Sequence, residues 1–303
     1  MWQEHELLNE DMLGKIVIIK MPSEYMNSRV KLFVYTPPGY DTNQRKYPVI
    51  YMFHGMPGAG RDWFVKGRVH ATAESLMMAG KLTHSILVGF DAFGRNGEHS
   101  RSEYLDSTME GPLVESFITN ELVPYIDSNY RTIADNRNRA IIGLSSGGYG
   151  AANLGLKHQD MFLTVASHSG FFDLKYEKKF VVDILGPKSS SWDANDPDKY
   201  LKSGFIDPRF AVYMDIGGGD ELLGNNRYFA KELRKRHLHS EFHVVRGSHH
   251  WWFWRWRVQY SLLFVSHRFK MLNNVSAQAV STSEAGRTLL SPDRSRQILL
   301  HKQ

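Results

Sequence analysis

Cysteine is absent from all 303 residues, which excludes disulfides, thiolate metal sites and a cysteine nucleophile together. A long hydrophobic run is missing as well. No stretch approaches the roughly 18–20 apolar residues that a helix needs to cross a bilayer, so no membrane span is expected. The opening residues, MWQEHELLNEDMLGK, lack a basic region followed by an apolar one, so they do not read as a secretory signal and a cytoplasmic location is the expectation. Metal-ligand spacing is lacking too: no H-E-x-x-H occurs, and His249 and His250 are adjacent and project differently. The net charge of +5 raises the question of nucleic acid, but no aromatic-interleaved basic motif accompanies it. The basic run from Lys231 to His237 reads as the solvated face of a helix, and no nucleic-acid partner, cofactor or metal is expected.

The residues that are present alternate between short β-rich runs and helical segments, the pattern of a largely parallel sheet covered by helices. Strands are expected over 15–20, 29–35, 48–53, 85–90, 139–144, 162–167, 210–216 and 241–245, with helices near 69–80, 112–128, 147–158, 224–238 and 250–270. Pro48 to Phe53 is a continuous apolar run, as a strand buried on both faces requires. One α/β domain is expected over 1–270. Within it, residues 171–209 carry Gly186-Pro187, a serine run, Asp196-Pro197 and Asp207-Pro208 and read as an irregular, cap-like insertion. Residues 271–303 are polar without a durable apolar period and are expected to be a flexible tail.

The chemistry concentrates in Ile141-Ile142-Gly143-Leu144-Ser145-Ser146-Gly147-Gly148, a G-x-S-x-G preceded by an apolar strand and followed by a small-residue helix start. That context predicts a nucleophile elbow, whose strained serine requires small neighbours two residues away and whose helix points N–H groups at developing negative charge. A serine is a weak nucleophile without a base, so an acid and a histidine should follow downstream. Asp220 lies on a glycine-rich loop just beyond a strand, with Glu221 as the backup and Asp215 inside the strand run, where a structural role is expected. His249 lies just past the next strand end and is the expected base. The oxyanion hole needs two backbone donors. One is expected from Ser146, and the other from the loop His54-Gly55-Met56-Pro57-Gly58, where Pro57 has no N–H and Met56 is favoured over Gly55. His54 and His168 sit near strand ends and are expected to line the substrate site with Trp63 and Trp192, and the loop 91–106, including Arg95, His99 and Tyr104, is expected to form a wall.

Beyond these motifs, the chain resembles the esterase D / antigen 85-like branch of the α/β-hydrolases, which includes feruloyl and acetylxylan esterases, enterochelin esterases, S-formylglutathione hydrolases and mycolyltransferases. The segments that carry the resemblance are VYTPPGY (34–40), YPVIYMFHGMPG (47–58), ELVPYIDSNYRT (121–132), GLSSGGYGA (143–151) and GSHHWWFWR (247–255). Family enzymes resemble GxSMGG at the elbow and GGHxWxxWR at the histidine. Matched to these, Ser145 takes the nucleophile's place and His249 the base's, and Trp251, Trp254 and Arg255 match the helix that follows. The sequence departs from the pattern at Ser146, where methionine is usual, and at Ser248, where a second glycine is usual; Ser146 adds a hydroxyl beside the oxyanion hole. The resemblance implies an α/β-hydrolase fold and a serine carboxylester hydrolase acting on a small-molecule or carbohydrate-linked ester. An acyltransferase of the mycolyltransferase type would use the same triad, and a catalytically silent fold used for binding would have lost one member of it.

A dinucleotide fingerprint fails on spacing, because a G-x-G-x-x-G reading of 143–150 needs glycine at Ser145. Ser145→Ala is therefore expected to abolish turnover with the fold intact, a loss on the order of 10⁶ in kcat. Ser146→Ala should be far milder. Ester assays alongside circular dichroism check this, and the reverse ranking would place the elbow in the wrong register.

Overall fold

The computed structural model describes residues 13–288 apart from 98 and 99. The hairpin β1 (Lys15–Ser23) and β2 (Ser28–Thr36) is followed by β3 (Val49–Phe53), β4 (Ile86–Phe90), β5 (Arg139–Leu144), β6 (Thr164–His168), β7 (Ala211–Gly217) and β8 (His239–Val245). Among the described residues these eight strands make one sheet in the order β1-β2-β4-β3-β5-β6-β7-β8. β2 is antiparallel to both β1 and β4, and every later pairing is parallel. The residues of β3, β5, β6 and β7 are buried throughout. Their uninterrupted apolar runs follow from that position, since helices cover both faces of a central parallel strand.

The helices are α1 (Asp62–Val65), α2 (Val69–Met78), α3 (Val114–Ser116), α4 (Val123–Asn129), α5 (Ser146–Lys157), α6 (Lys178–Leu185), α7 (Ser190–Ala194), α8 (Pro197–Ser203), α9 (Leu223–Lys235) and α10 (Trp251–Thr288). A π-helical turn over Phe117–Leu122 joins α3 to α4, so the expected helix at 112–128 is one element with a wide turn inside it. One face of the sheet buries Tyr51, Phe53, Phe90, Phe117, Leu154 and Phe229. The other buries Trp63, Phe64, Val258, Val265 and Phe269 and receives α2 and α10. The mostly parallel, helix-flanked sheet is the α/β-hydrolase architecture that the sequence implies. No helix among the described residues is long and apolar enough to cross a membrane.

Two expectations change. The C-terminal region does not leave the domain at residue 270: α10 continues to Thr288, and 289–303 lie outside the described residues. Leu272 is buried, and Asn273 exchanges side-chain hydrogen bonds of 3.2 and 2.9 Å with Asn138 at the foot of β5. No proline intervenes before Pro292, so nothing stops the helix where the apolar period ends. The second change is at 171–209, which is not irregular but holds α6, α7 and α8. Pro197 marks a start rather than a break: it opens α8 directly after Asp196, whose carboxylate accepts from the Asp198 and Lys199 N–H groups.

A fully buried polar cluster fastens α10 to the sheet. On Asp215 of β7, Oδ1 meets His168 Nδ1 at 2.7 Å, while Oδ2 accepts from Arg257 Nε at 2.9 Å and from the Tyr213 hydroxyl at 2.8 Å. Ser261 of α10 meets the other His168 nitrogen at 2.9 Å. Burial pushes the Asp215 carboxyl up, but His168 and Arg257 outweigh it and hold the group below its ordinary value. The stability this contributes is complete above the unfolded carboxylate range and is lost as pH falls through the lowered folded value. Arg257→Met leaves Asp215 buried without its cation. It is expected to cost about 3–5 kcal/mol in urea melts at pH 7 and to move acid unfolding to higher pH. An unchanged acid midpoint would show that the pair contributes nothing.

Candidate active site

The site is built on the turn from β5 into α5. Ser145 sits there at φ 53°, ψ −122°, a conformation that costs an L-residue energy and persists only when its surroundings enforce it. Its N–H donates to the His168 carbonyl at 2.9 Å, at the tip of the neighbouring strand. The two glycines of the motif are there for space. A Cβ on Gly143 would strike the Gly147 carbonyl, and one on Gly147 would strike the Phe53 carbonyl of β3. The helix that starts at Ser146 thus lies flush against both strands and lifts the Ser145 side chain above the sheet.

Two further strand ends supply its partners. Asp220 follows β7 through Gly217-Gly218-Gly219, and His249 follows β8 through Gly247-Ser248. The loops are knitted by Gly218 N–H to the Val245 carbonyl at 2.8 Å and Gly219 N–H to the Gly247 carbonyl at 3.0 Å. His249 Nε2 lies 2.9 Å from Ser145 Oγ, and its Nδ1 lies 2.9 Å from Asp220 Oδ2. The other Asp220 oxygen accepts from Leu222 N–H at 3.0 Å. Burial pushes the Asp220 carboxyl up, but hydrogen bonds from His249, Leu222 N–H and the Ser169 hydroxyl, together with the His249 charge, hold it below its ordinary value. It therefore stays ionised at neutral pH and acts as an acceptor. Glu221 is exposed and His249 pairs with Asp220 instead. Trp254, on the first turn of α10, sets its ring edge-on to His249 at 4.9 Å and donates Nε1–H to Ser169 Oγ at 3.2 Å. The imidazole is thus boxed in on one side.

The oxyanion-loop residues lie close by. A Cβ built on Gly55 would fall 3.2 Å from Ser145 Cβ, which places the backbone leading into Met56 beside Ser145. Four residues expected to line the site do not face its open side. His54 is buried, accepts from Ala92 N–H on Nε2 at 3.1 Å and so donates Nδ1–H to the Gly55 carbonyl at 2.9 Å. Burial pulls its pKa down to about 4, and it ties the ends of β3 and β4 together. His168 belongs to the Asp215 cluster. Trp63 is fully buried, with Nε1–H on the Phe53 carbonyl at 2.9 Å. Trp192 is turned into a third apolar cluster with Tyr149, Phe171, Leu174 and Ile216, its Nε1–H on the Gly186 carbonyl at 3.1 Å. A buried indole or imidazole must satisfy its N–H, and in each case a backbone or side-chain partner inside the fold does so. Tyr104 is likewise buried and donates to the His54 carbonyl at 2.8 Å. Of the rest of that wall, Arg95 lines the cavity described next, and His99 lies outside the described residues.

That cavity, of about 930 Å³, opens between the loop over 94–112 and the insertion, lined among others by Pro57, Arg101, Leu105, Met109, Phe180 and Ile184. Ser145 is not in its lining; the cavity comes toward the nucleophile through Pro57, next to Met56, and through Arg101, whose Nη2 donates to Ser146 Oγ at 2.9 Å. Arg101 carries no sequence signal: it stands in an aperiodic loop 45 residues from its partner.

Residues 23–264 match the model of a family described as "Putative esterase". The chain is 29% identical over 248 residues to an esterase of Mycobacterium tuberculosis, covering 71% of this chain and 51% of that protein. It is 32% identical over 212 residues to an endo-1,4-beta-xylanase/feruloyl esterase of Xylanibacter ruminicola, covering 69% of this chain and 25% of the other. The chain thus spans about half the length, or less, of these curated relatives. The solved structure of a ferulic acid esterase superposes with a TM-score of 0.76 at 31% identity, covering 84% of this chain and 99% of that one.

The hydrogen bond from His249 to Asp220 generates a direct test. Asp220→Asn is expected to cut kcat by about 10³–10⁴ with little change in KM, because an amide favours the wrong imidazole tautomer. Glu221→Gln should stay near wild type. Steady-state kinetics on p-nitrophenyl acetate measure both, and a dead Glu221→Gln beside an active Asp220→Asn would reassign the acid.

Proposed function

Because this chain belongs to that esterase family, we propose that it is a serine carboxylester hydrolase working through an acyl-enzyme on Ser145. The observation that carries the reading is the continuous relay from Asp220 through His249 to Ser145, with both links at 2.9 Å. In the first half-reaction Ser145 Oγ attacks the ester carbonyl while His249 Nε2 takes its proton, and Asp220 stabilises the imidazolium and fixes its orientation. The tetrahedral oxygen is received by the N–H groups of Ser146 and Met56, with the Gly55 N–H as the alternative to Met56. His249 then returns the proton to the leaving alkoxide and the alcohol departs. In the second half-reaction the same nitrogen takes a proton from water as it attacks the acyl-enzyme, then gives that proton to Ser145 Oγ as the acyl–oxygen bond breaks and the acid leaves.

The insertion over 171–209 is assigned to substrate choice through Phe180 and Ile184, which wall the cavity opposite Arg101 and Leu105. Such a volume suits an ester whose acyl or alcohol part is much larger than acetyl. Two of the similar proteins bear feruloyl or ferulic acid esterase names, so feruloylated and acetylated sugars belong in the substrate panel beside p-nitrophenyl acyl chains and S-formylglutathione.

A fluorophosphonate probe should label the protein stoichiometrically at Ser145 and leave Ser145→Ala unlabelled. Running the panel with and without alcohol acceptors separates hydrolysis from acyl transfer. A protein that takes no probe and cleaves no ester is a silent binding fold, and the reading fails.

A further inference from the structure

The departure from the family pattern at Ser146 has a partner in the structure. Its hydroxyl is fully buried, accepts from Arg101 Nη2 at 2.9 Å and lies against the Glu103 carboxyl. Arg101 is itself nearly buried and uses its whole guanidinium. Nε pairs with Glu103, Nη1 lies 3.3 Å from Glu177, and the planar group stacks on the Phe180 ring at 4.0 Å from its centroid. Ser146 and Glu103 belong to the domain, whereas Glu177 and Phe180 belong to the insertion, on either side of the start of α6. One side chain therefore touches the residue after the nucleophile, the insertion and the wall of the cavity.

The chain holds Arg101 there at a cost. Glu103 and Tyr104 take φ values of 50° and 60°, the left-handed region that non-glycine residues avoid. Tyr104 is pinned by its bond to the His54 carbonyl and by stacking on Phe53 at 4.5 Å. Glu103 is fully buried, and Arg101 and the Ser146 hydroxyl are the groups set against its carboxyl. A rigid fork of five N–H donors can bind three differently placed groups at once, which a lysine ammonium on a flexible stem does not.

We propose that Arg101 is a positioning and specificity-determining residue that couples the insertion to the oxyanion hole. Through Ser146 it fixes the peptide whose N–H receives the tetrahedral oxygen. Through Glu177 and Phe180 it fixes the cavity wall that receives the larger part of the ester. The inference rests on the Ser145 reading of the site, and it makes substrate size and oxyanion stabilisation properties of one side chain.

The test compares Ser146→Ala, Arg101→Gln and the double variant on p-nitrophenyl acetate and on the bulkiest p-nitrophenyl ester that the wild type cleaves. Active sites are counted by fluorophosphonate labelling, so that misfolded protein does not enter kcat. A direct oxyanion donor is worth about 10²–10³ in kcat, so losing the support of one should cost less, about tenfold. Ser146→Ala is expected to lower kcat by about that factor on both esters without moving KM. Arg101→Gln should lower acetate kcat equally and also raise KM for the bulky ester several-fold. The double variant should be no worse on acetate than Arg101→Gln, because both changes break one contact. Should Arg101→Gln fail to fold with Glu103 unpaired, Ser146→Ala leaves that ion pair in place and its acetate kcat decides alone. Acetate kcat within twofold of wild type in Ser146→Ala, or losses that multiply in the double variant, would overturn the coupling. A wild-type protein that takes no probe would instead overturn the Ser145 reading beneath it.

Discussion

The turn from β5 into α5 holds Ser145 at φ 53°, and it can do so only because Gly143 and Gly147 let helix and strands approach to backbone contact. A side chain at either glycine would push α5 off the sheet, and with it the Ser145 N–H that bonds the His168 carbonyl. The strain is met by burial: all of β5 and nearly all of α5 lie inside the domain. A native state that is only marginally stable as a whole can carry one costly residue when so many neighbours define it.

The same economy governs the rest of the candidate site. Ser145, Asp220 and His249 hang from the ends of β5, β7 and β8, and parallel strands in register bring loops far apart in sequence to one edge. β6, between them, contributes no member of the relay but supplies the His168 carbonyl and Ser169, which touch the Ser145 backbone and the Asp220 carboxylate. Below, the Asp215 cluster locks β6 and β7 to α10, whose first turn carries Trp254 against the imidazole. The His249 ring is therefore oriented from the buried side by a helix that is itself anchored by a buried ion pair.

Much of this was legible in the sequence because its causes are local. Strands buried on both faces must be apolar throughout, so β3, β4 and β5 stand out as runs. The elbow needs glycine at two fixed offsets, and an acid and a histidine just past later strand ends complete a known chemical requirement. The misreadings share one cause. Trp63, Trp192, His54 and His168 are large ring side chains near loops, which suggests a lined site, but each spends its ring nitrogen on a partner inside the fold. Which way a ring faces is a tertiary fact with no periodic signature. Arg101 was invisible for the opposite reason, since it stands in an aperiodic loop and its partners are set by two left-handed residues that no motif announces. The length of α10 has no apolar period to announce it, and the contact of Asn273 with Asn138 lies 135 residues away in the chain.

The insertion leaves the sheet after β6 and returns before β7, so it can vary in length without shifting any strand that bears the relay. On topology alone it is a module, free to be exchanged among relatives as their substrates diverge. The contact of Arg101 with Glu177 and Phe180 limits that freedom. A transplanted insertion that lacks an acid and an aromatic at the start of its first helix would leave the Arg101 guanidinium without two of its partners. Evolutionary exchange of this segment should therefore carry the Arg101 loop with it, so that the two behave as a single inherited unit although about 70 residues separate them.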